Sequence, residues 1–240
     1  MTVTITRPEV RNAVDSDTAS ALRSAFEKFD KADSIAVAVL TGAGGNFCAG
    51  FDLKALAGDS AAQLSETDGP MGPTRMRLGK PVIAAIEGYA VAGGLELALW
   101  CDLRVAANDA TLGVFNRRFG VPLIDMGTVQ LPRMIGQGRA LDLILTGRPV
   151  SAMEALQISL IDRLVEPGTA LEEAQQLARQ IAELPQGALR ADRRSVLTQW
   201  SLSLEEAGQA EHQGGLDVLV SGEAQKGARR FVDGAGRHGE

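Results

Sequence analysis

Two glycine-containing turns, each directly after an apolar run, could bring backbone amides to a single ligand. They are GAGGNFCAGFDL (42–53) and EGYAVAGGLELAL (87–99). Glycine lets the backbone approach a ligand closely, and the N-terminus of a helix adds a partial positive charge. Together the two turns could hold one oxyanion, although each one alone is explained equally well as a tight strand-to-helix turn.

A single carboxylate, Glu96, follows the second of these turns. It lies three residues after Gly93, inside an apolar string, on the first turn of a predicted helix. Burial raises the pKa of such a carboxylate and the helix dipole lowers it, so Glu96 is a candidate general acid or base. The alternative is a buried glutamate that caps backbone amides.

Phosphate-loop templates do not fit the first turn. GAGGNF lacks the third glycine of G-x-G-x-x-G, and the G-x-x-x-x-G window from Gly45 continues with Phe51-Asp52, where a phosphate loop has Lys-Ser/Thr. A dinucleotide-dependent oxidoreductase is therefore disfavoured.

Histidine and cysteine are too few for several other kinds of site. His212 and His238 both lie near the C-terminus, and Cys48 and Cys101 are the only cysteines. We therefore expect no metal site, no Ser-His-Asp arrangement and no disulfide framework.

The bulk properties describe a globular chain. With 240 residues, 45% of them hydrophobic, it can bury a sizeable core. The net charge of -6 argues against a general nucleic-acid or anionic-membrane surface. No apolar run approaches the roughly 20 residues that cross a bilayer, and the N-terminus lacks the order of a signal peptide. We expect a cytoplasmic protein.

Strands, glycine loops and helices alternate in the first two thirds of the sequence, which predicts an α/β core. Buried strands are expected at VTITRP, IAVAVLT (35–41), KPVIAAIEG and LRVAAN, with helices from Asp15 or Ser16 to about Asp30 and at AGGLELALWCD. The composition of residues 58–75 predicts an exposed connection that could serve as a lid.

The last third is predicted to be mainly helical from Leu131 onward. Capping-box signatures occur at Ser151/Glu154, Thr169/Glu172 and Ser203/Glu206. Pro167-Gly168 predicts a boundary between an α/β core (1–166) and a helical region (167–240), which we expect to pack on the core and on neighbouring subunits.

These motifs resemble those of the crotonase (enoyl-CoA hydratase/isomerase) superfamily over almost the whole chain. FCAGFDL is similar to its first oxyanion-loop motif and KPVIAAIEGYAVAGGLELALWCDLRVA to its second; TRPEVRNAV, GRALDLILTGRPVSAMEAL and LVEPG also agree. The resemblance implies a spiral of ββα units that forms two roughly perpendicular sheets. It also implies C-terminal helices that build homotrimers, often paired into hexamers.

The resemblance also implies roles for individual residues. The backbone N–H groups of Ala49 and Gly93 would hold the thioester oxygen, and Glu96 would be the first catalytic glutamate. Coenzyme A or substrate would contact Ala49, Gly50, Phe51, Asp52, Gly94 and Lys80, although a solvated lysine at a strand entrance explains Lys80 equally well.

Asn116, in GVFNRRFGV, stands where the hydratases carry their second catalytic glutamate. Asparagine can hold a water or a carbonyl but cannot deliver a proton as a carboxylate does. Asp125, in GVPLIDMGT, falls on a loop where some relatives, including dienoyl-CoA isomerases, carry a catalytic aspartate. The alternative is a turn-forming aspartate.

The leading functional hypothesis is an enoyl-CoA hydratase, with double-bond isomerisation as the alternative reaction. A catalytically weak acyl-CoA-binding protein is the alternative from another class. No cofactor is expected, because coenzyme A enters as part of the thioester substrate. An acyl pocket could involve Leu56, Met71, Met76, Phe115 and Phe119, unless these are core residues.

Overall fold

The computed structural model describes residues 1–57 and 69–235. Its compact units are Met1–Arg179 and Gln180–Glu240. The division between them falls inside a helix, whereas the division at residues 166 and 167 stays a prediction. Within the described ranges no helix is both long and apolar enough to cross a membrane.

The described residues contain eight strands in two sheets. A five-stranded, all-parallel sheet has the order β1-β2-β3-β5-β8, and a three-stranded sheet has the order β4-β6-β7. Their bounds are β1 Thr2–Ile5, β2 Ala38–Gly42, β3 Val82–Ile86, β4 Tyr89–Val91, β5 Leu103–Ala107, β6 Thr111–Gly113, β7 Val150–Ser151 and β8 Arg163–Val165. The four strands predicted from apolar runs are β1, β2, β3 and β5.

The described residues also contain ten α-helices. They are α1 Ser16–Lys31, α2 Leu53–Ala57, α3 Gly93–Trp100, α4 Gly127–Ile135, α5 Gln137–Thr146, α6 Ala152–Gln157, α7 Ala170–Glu183, α8 Gln186–Thr198, α9 Leu204–Val220 and α10 Glu223–Val232. The prediction of mainly helical structure after Leu131 is correct, except that it missed β7 and β8.

Helix caps follow the sequence signatures at some positions only. Ser203 and Glu206 form the predicted capping box, and Ser151 caps α6. The prediction for Thr169 is wrong. Its hydroxyl donates to a backbone carbonyl, and the first amide of α7 donates instead to the carboxylate of Glu87.

Parallel pairing brings the first glycine turn to the start of α3. The turn runs beside β4, where the Cys48 N–H donates to the carbonyl of Tyr89 at 2.8 Å and the Val91 N–H to the carbonyl of Cys48 at 3.1 Å. A Cβ atom at Gly94 would overlap the Cys48 carbonyl oxygen, so α3 packs this closely only because Gly94 has no side chain.

Lys80 is a buried structural residue. Its side chain is 3% exposed, and its ammonium donates to the carbonyl oxygens of Phe29, Ala32 (2.8 Å) and Ile35 (3.0 Å) at the end of α1. Carbonyls at a helix C-terminus lack helical partners, and Lys80 supplies donors for them. Both earlier interpretations, a contact with a CoA phosphate and a solvated lysine, are therefore wrong.

We predict that Lys80→Met lowers the free energy of unfolding by about 3 kcal/mol, because buried carbonyl oxygens lose a charged donor. Chemical denaturation measures the change. Lys28→Met, an exposed position in the last turn of the same helix, should change it by less than about 0.5 kcal/mol. A stable Lys80→Met protein with weakened CoA binding would contradict this assignment.

Candidate active site

The first oxyanion donor is not where the sequence motif predicted it. The N–H of Ala49 donates to the carbonyl oxygen of Arg11 at 3.0 Å, so it is not available to a ligand. The N–H of Phe51 donates to no acceptor within residues 1–57 and 69–235. Because Phe51 also lines the cavity described below, it replaces Ala49 as the candidate donor.

The second candidate donor is the N–H of Gly93, the first residue of α3. It too donates to no acceptor in the described part of the chain. The preceding residue, Ala92, has a φ of 54° and a ψ of -126°, which is strained backbone for a residue with a side chain. This conformation lies between the end of β4 at Val91 and the first residue of α3.

Gly50 allows the two candidate amides to approach each other. Its φ is 101°, and a Cβ atom at this position would lie 2.9 Å from the Gly93 nitrogen. A larger residue would therefore separate the first loop from α3. This close approach makes Phe51 and Gly93 a pair of unpartnered donors that can serve one oxygen atom.

Asp52, predicted to contact coenzyme A, is held inside the protein. One carboxylate oxygen lies 3.2 Å from the Arg7 guanidinium, and the other accepts the Lys54 N–H at 3.0 Å. The carboxylate thus fixes the loop to the start of α2. Contacts of Gly50 and Gly94 with coenzyme A stay predictions.

Glu96 is buried, and one of its oxygens is fixed by backbone. Oε1 accepts the N–H groups of Asp125 (2.9 Å) and Gly127 (2.8 Å). A Cβ atom at Gly127 would lie 2.7 Å from Oε1, so glycine is required there. Oε2 receives no hydrogen bond from the described residues. The capping interpretation and the catalytic one are thus compatible, since one oxygen is held and the other is free.

Burial raises the pKa of Glu96 to about 7, and the neighbouring charge of Asp125 acts in the same direction. The two backbone N–H groups and Arg75 oppose this rise. A carboxyl group that titrates near neutral pH can both accept and return a proton. The environment of Glu96 therefore suits acid–base chemistry.

Asp125 is also buried, at 3% exposure, and lies in the cavity wall. Its Oδ1 accepts the Thr74 hydroxyl and the Met71 N–H, the latter at 3.1 Å. Burial raises the pKa of Asp125, and these hydrogen bonds counteract the rise. It is more than a turn-forming aspartate, because its bonds reach a segment far away in sequence.

Asn116 has one satisfied and one unsatisfied side-chain group. Its Nδ2 donates to the carbonyl oxygen of Val121 at 2.8 Å, which fixes the orientation of the amide. Its Oδ1 is buried and accepts no hydrogen bond. An unsatisfied buried acceptor costs about 1–3 kcal/mol, and Asn116 is one of the residues that line the cavity described below.

A mainly apolar cavity of about 110 Å³ joins these groups. Its polar side chains are Glu96, Asn116 and Asp125. The rest of the wall consists of Ala49, Phe51, Leu53, Pro70, Met71, Ala92, Gly93, Phe115, Phe119, Val121, Pro122 and Ile124. A few polar groups in an apolar wall are typical of small-molecule sites.

Three of the predicted acyl-pocket residues, Met71, Phe115 and Phe119, line this cavity. Met76 does not; it packs against the core, as the alternative interpretation proposed. The Leu56 side chain lies outside the described residues. Among the described residues, no group of three His, Cys, Asp or Glu side chains could hold a metal ion.

The segment 69–75 contradicts the expectation of an exposed connection over 58–75. Gly69, Met71, Gly72, Pro73 and Thr74 are buried. Residues 58–68, the rest of that prediction, lie outside the described ranges. Sequence reasoning missed Thr74 altogether, because its partner Asp125 lies on a distant loop.

The chain matches the family model for enoyl-CoA hydratase/isomerase over residues 1–236. It is 37% identical over 238 residues to the enoyl-CoA hydratase EchA19 of Mycobacterium tuberculosis, which covers 96% of this chain and 89% of that protein. It is also 37% identical over 207 residues to the (E)-benzylidenesuccinyl-CoA hydratase of Thauera aromatica, with coverage of 85% and 80%.

The fold of the chain is also similar to that of a solved enoyl-CoA hydratase. It superimposes on the crystal structure of the enoyl-CoA hydratase EchA1 from Mycobacterium marinum with a TM-score of 0.91, covering 97% of this chain and 91% of that chain at 36% identity. The mixed α/β architecture is the crotonase fold. The chain is therefore a member of the enoyl-CoA hydratase/isomerase family.

Proposed function

We propose that this protein is an enoyl-CoA hydratase that adds water to a trans-2-enoyl-CoA to form a 3-hydroxyacyl-CoA. The observation that carries this proposal is the pair of unpartnered amides, Phe51 and Gly93, beside a carboxylate with one free oxygen. The relatives named as hydratases support it. The reaction needs no metal or further cofactor, because coenzyme A is part of the substrate.

The free oxygen of Glu96 takes a proton from water while the water oxygen forms a bond to the β-carbon. The electron pair of the double bond moves toward the thioester, whose oxygen becomes an enolate held by Phe51 and Gly93. Each fixed donor of this kind typically contributes about a hundredfold in rate. Protonated Glu96 then returns the proton to the α-carbon, so one carboxyl group completes the cycle.

Asn116 supplies the hydrogen-bond acceptor that the water needs. Its Oδ1 has no hydrogen-bond partner among the described residues, and a water that donates one hydrogen to Asn116 can direct the other toward Glu96. An amide cannot exchange a proton here. This division of roles explains how hydration proceeds with asparagine in place of the second glutamate.

Double-bond isomerisation is the second candidate, and Asp125 is the observation that favours it. Its carboxylate lies in the same cavity wall, and burial raises its pKa. In that reaction Glu96 or Asp125 would remove a proton from one carbon and return it to another. Both reactions use the same pair of amides.

We also propose that the protein forms homotrimers, alone or as a dimer of trimers, in the cytoplasm. Exposed apolar side chains on the C-terminal helices support the assembly. Leu204 at the start of α9 is 92% exposed, and Val220 at its end is 86% exposed. Further exposed apolar side chains in the same region add to this surface, namely Val196, Leu197, Leu216, Leu219, Phe231 and Val232, and exposed apolar surface is a feature of subunit contacts.

We predict that hydration slows as the pH falls through about 7, because Glu96 must be ionised to take the proton from water. Dehydration of the 3-hydroxyacyl-CoA starts from the same ionised Glu96, which removes the α-proton and gives it to the departing hydroxyl, so its rate should also fall as the pH falls through this range. Initial rates in both directions from about pH 5 to 9 measure this.

Replacing Glu96 with glutamine should reduce turnover by about a thousandfold or more, while acyl-CoA affinity persists. Glu87→Gln is a matched control, because the Glu87 carboxylate also accepts two backbone amides but lies outside the cavity. Full activity of the Glu96→Gln variant would remove Glu96 from the mechanism.

Product analysis separates the candidate functions. The protein is mixed with trans-2-enoyl-, 3-enoyl- and dienoyl-CoA esters, and the products are identified by mass spectrometry and chromatography. We expect a mass gain of one water from the trans-2-enoyl esters. A shifted double bond without a mass change would favour the isomerase. Binding of every ester with no turnover would favour an acyl-CoA-binding protein.

Asn116→Leu tests the role of the unsatisfied acceptor. Leucine has a similar size but cannot hold water, so we predict a loss of kcat of about tenfold or more with little change in acyl-CoA affinity. Isothermal titration and initial rates measure the two quantities. Unchanged kcat in a folded variant would exclude Asn116 from water binding.

A further inference from the structure

A short segment, Gly69–Arg75, packs against Gly93, the second of the two candidate donors. It contains a turn in which the Gly72 N–H donates to the Gly69 carbonyl at 2.8 Å, followed by a 3-10 helix at Pro73–Arg75. Gly72 has a φ of 93°, and a Cβ atom there would lie 2.5 Å from the Ala19 carbonyl oxygen. The segment is thus packed tightly against α1.

Met71 carries this segment to the site. Its side chain is fully buried and lines the cavity. A Cβ atom at Gly93 would lie 2.6 Å from the Met71 sulfur and 2.9 Å from its Cγ, so the thioether packs directly on the α-carbon of the candidate donor. The position of Met71 therefore determines how much room remains beside the Gly93 amide.

Asp125 fixes the segment with its side chain. Its Oδ1 accepts the Met71 N–H and the Thr74 hydroxyl. The Arg75 guanidinium adds a bond of 2.9 Å to the carbonyl oxygen of Ile124. Three donors from one short segment thus converge on two consecutive residues, Ile124 and Asp125, just before α4.

The backbone of Asp125 acts on the other half of the site. Its N–H donates to Oε1 of Glu96 at 2.9 Å. Asp125 therefore contacts Glu96 through its main chain and the segment Gly69–Arg75 through its side chain. A shift of Asp125 would move both groups relative to the substrate.

We infer that Asp125 is a positioning residue that, together with Thr74, holds Met71 against Gly93 and Glu96 in line with the amide pair. This inference rests on the proposed function and assigns Asp125 a role other than proton transfer. The Thr74 hydroxyl is the best group on which to test this arrangement, because it can be removed without changing any charge.

The charge of Asp125 gives a second, independent readout. The charged groups that face Glu96 are Asp125, which favours its protonated form, and Arg75, which favours its ionised form. Asp125→Asn keeps an acceptor for Thr74 and Met71 but removes the negative charge. The acidic limb of the pH–rate profile should then move to lower pH.

The test compares Thr74→Val, Thr74→Ser and Asp125→Asn with the unmodified protein, using trans-2-butenoyl-CoA as substrate. Valine has the shape of threonine but no hydroxyl, so kcat should fall by about tenfold or more with KM changed by less than about threefold. Serine keeps the hydroxyl and should restore kcat to within about twofold of the unmodified value.

Thr41→Val is the matched control. Thr41 is equally buried, and its hydroxyl donates to the Ala85 carbonyl at 3.1 Å within the main sheet, outside the cavity. Its replacement also removes one buried hydroxyl hydrogen bond, here to a carbonyl instead of a carboxylate, and should leave kcat unchanged. A drop in kcat of Thr74→Val no larger than that of Thr41→Val would overturn the inference.

A readout without turnover separates this inference from the proposed function. Acetoacetyl-CoA forms an enolate whose charge resides partly on the thioester oxygen, so its affinity reports on the amide pair directly. Thr74→Val should weaken binding by about fivefold or more relative to Thr74→Ser and Thr41→Val. This comparison remains informative even if no ester is hydrated. That outcome would contradict the proposed function but not the positioning role of Asp125 and Thr74.

Two further outcomes would count against a positioning role. Equal acetoacetyl-CoA affinity of Thr74→Val and Thr74→Ser would mean that the hydroxyl does not hold the amide pair. Loss of all turnover in Asp125→Asn at every pH, with Thr74→Val unaffected, would show instead that Asp125 transfers a proton.

Discussion

The close approach of two backbone segments, the first glycine loop and the start of α3, is the constraint on which the site depends. Gly50 and Gly94 permit it, because a Cβ atom at either position would overlap the opposite segment. The backbone pairing between Cys48 and β4 then fixes the register of the loop. The result is two N–H groups that have no acceptor among the described residues, one on the loop that follows β2 and the other on the helix that follows β4.

Backbone N–H groups also hold the two buried carboxyl groups of the site, Glu96 and Asp125. A buried carboxylate is destabilising unless hydrogen bonds compensate for lost hydration. Among the described residues, Glu96 receives that compensation on one oxygen only. Its pKa is therefore near neutral, and its second oxygen accepts no hydrogen bond. Full compensation would have produced a more stable carboxylate and a poorer proton carrier. Hydrogen bonds to only one oxygen of Glu96 therefore keep the buried carboxylate in place and still allow it to exchange a proton.

Much of the fold was predictable, because apolar runs, glycine turns and caps are local signals, whereas the catalytic role of Glu96 was suggested by the family resemblance. The donor at Phe51 was not predictable, since it depends on the bond from Ala49 to Arg11, a residue of the N-terminal segment. Lys80 was misinterpreted for a similar reason. A lysine in a sequence suggests a solvated side chain or a contact with a phosphate group, and only the folded chain shows which carbonyl groups surround it. Long-range contacts of this kind leave no periodic trace in the sequence.

The amides that hold Glu96 belong to the main chain at positions 125 and 127, and this has an evolutionary consequence. Substitutions that change the side chain at position 125 leave its N–H group in place, whereas position 127 must remain glycine. The orientation of the proton carrier is thus largely independent of the side chains on this loop. The loop can acquire new reactive groups while Glu96 keeps its place, which makes this part of the wall a natural location for reactions to diverge.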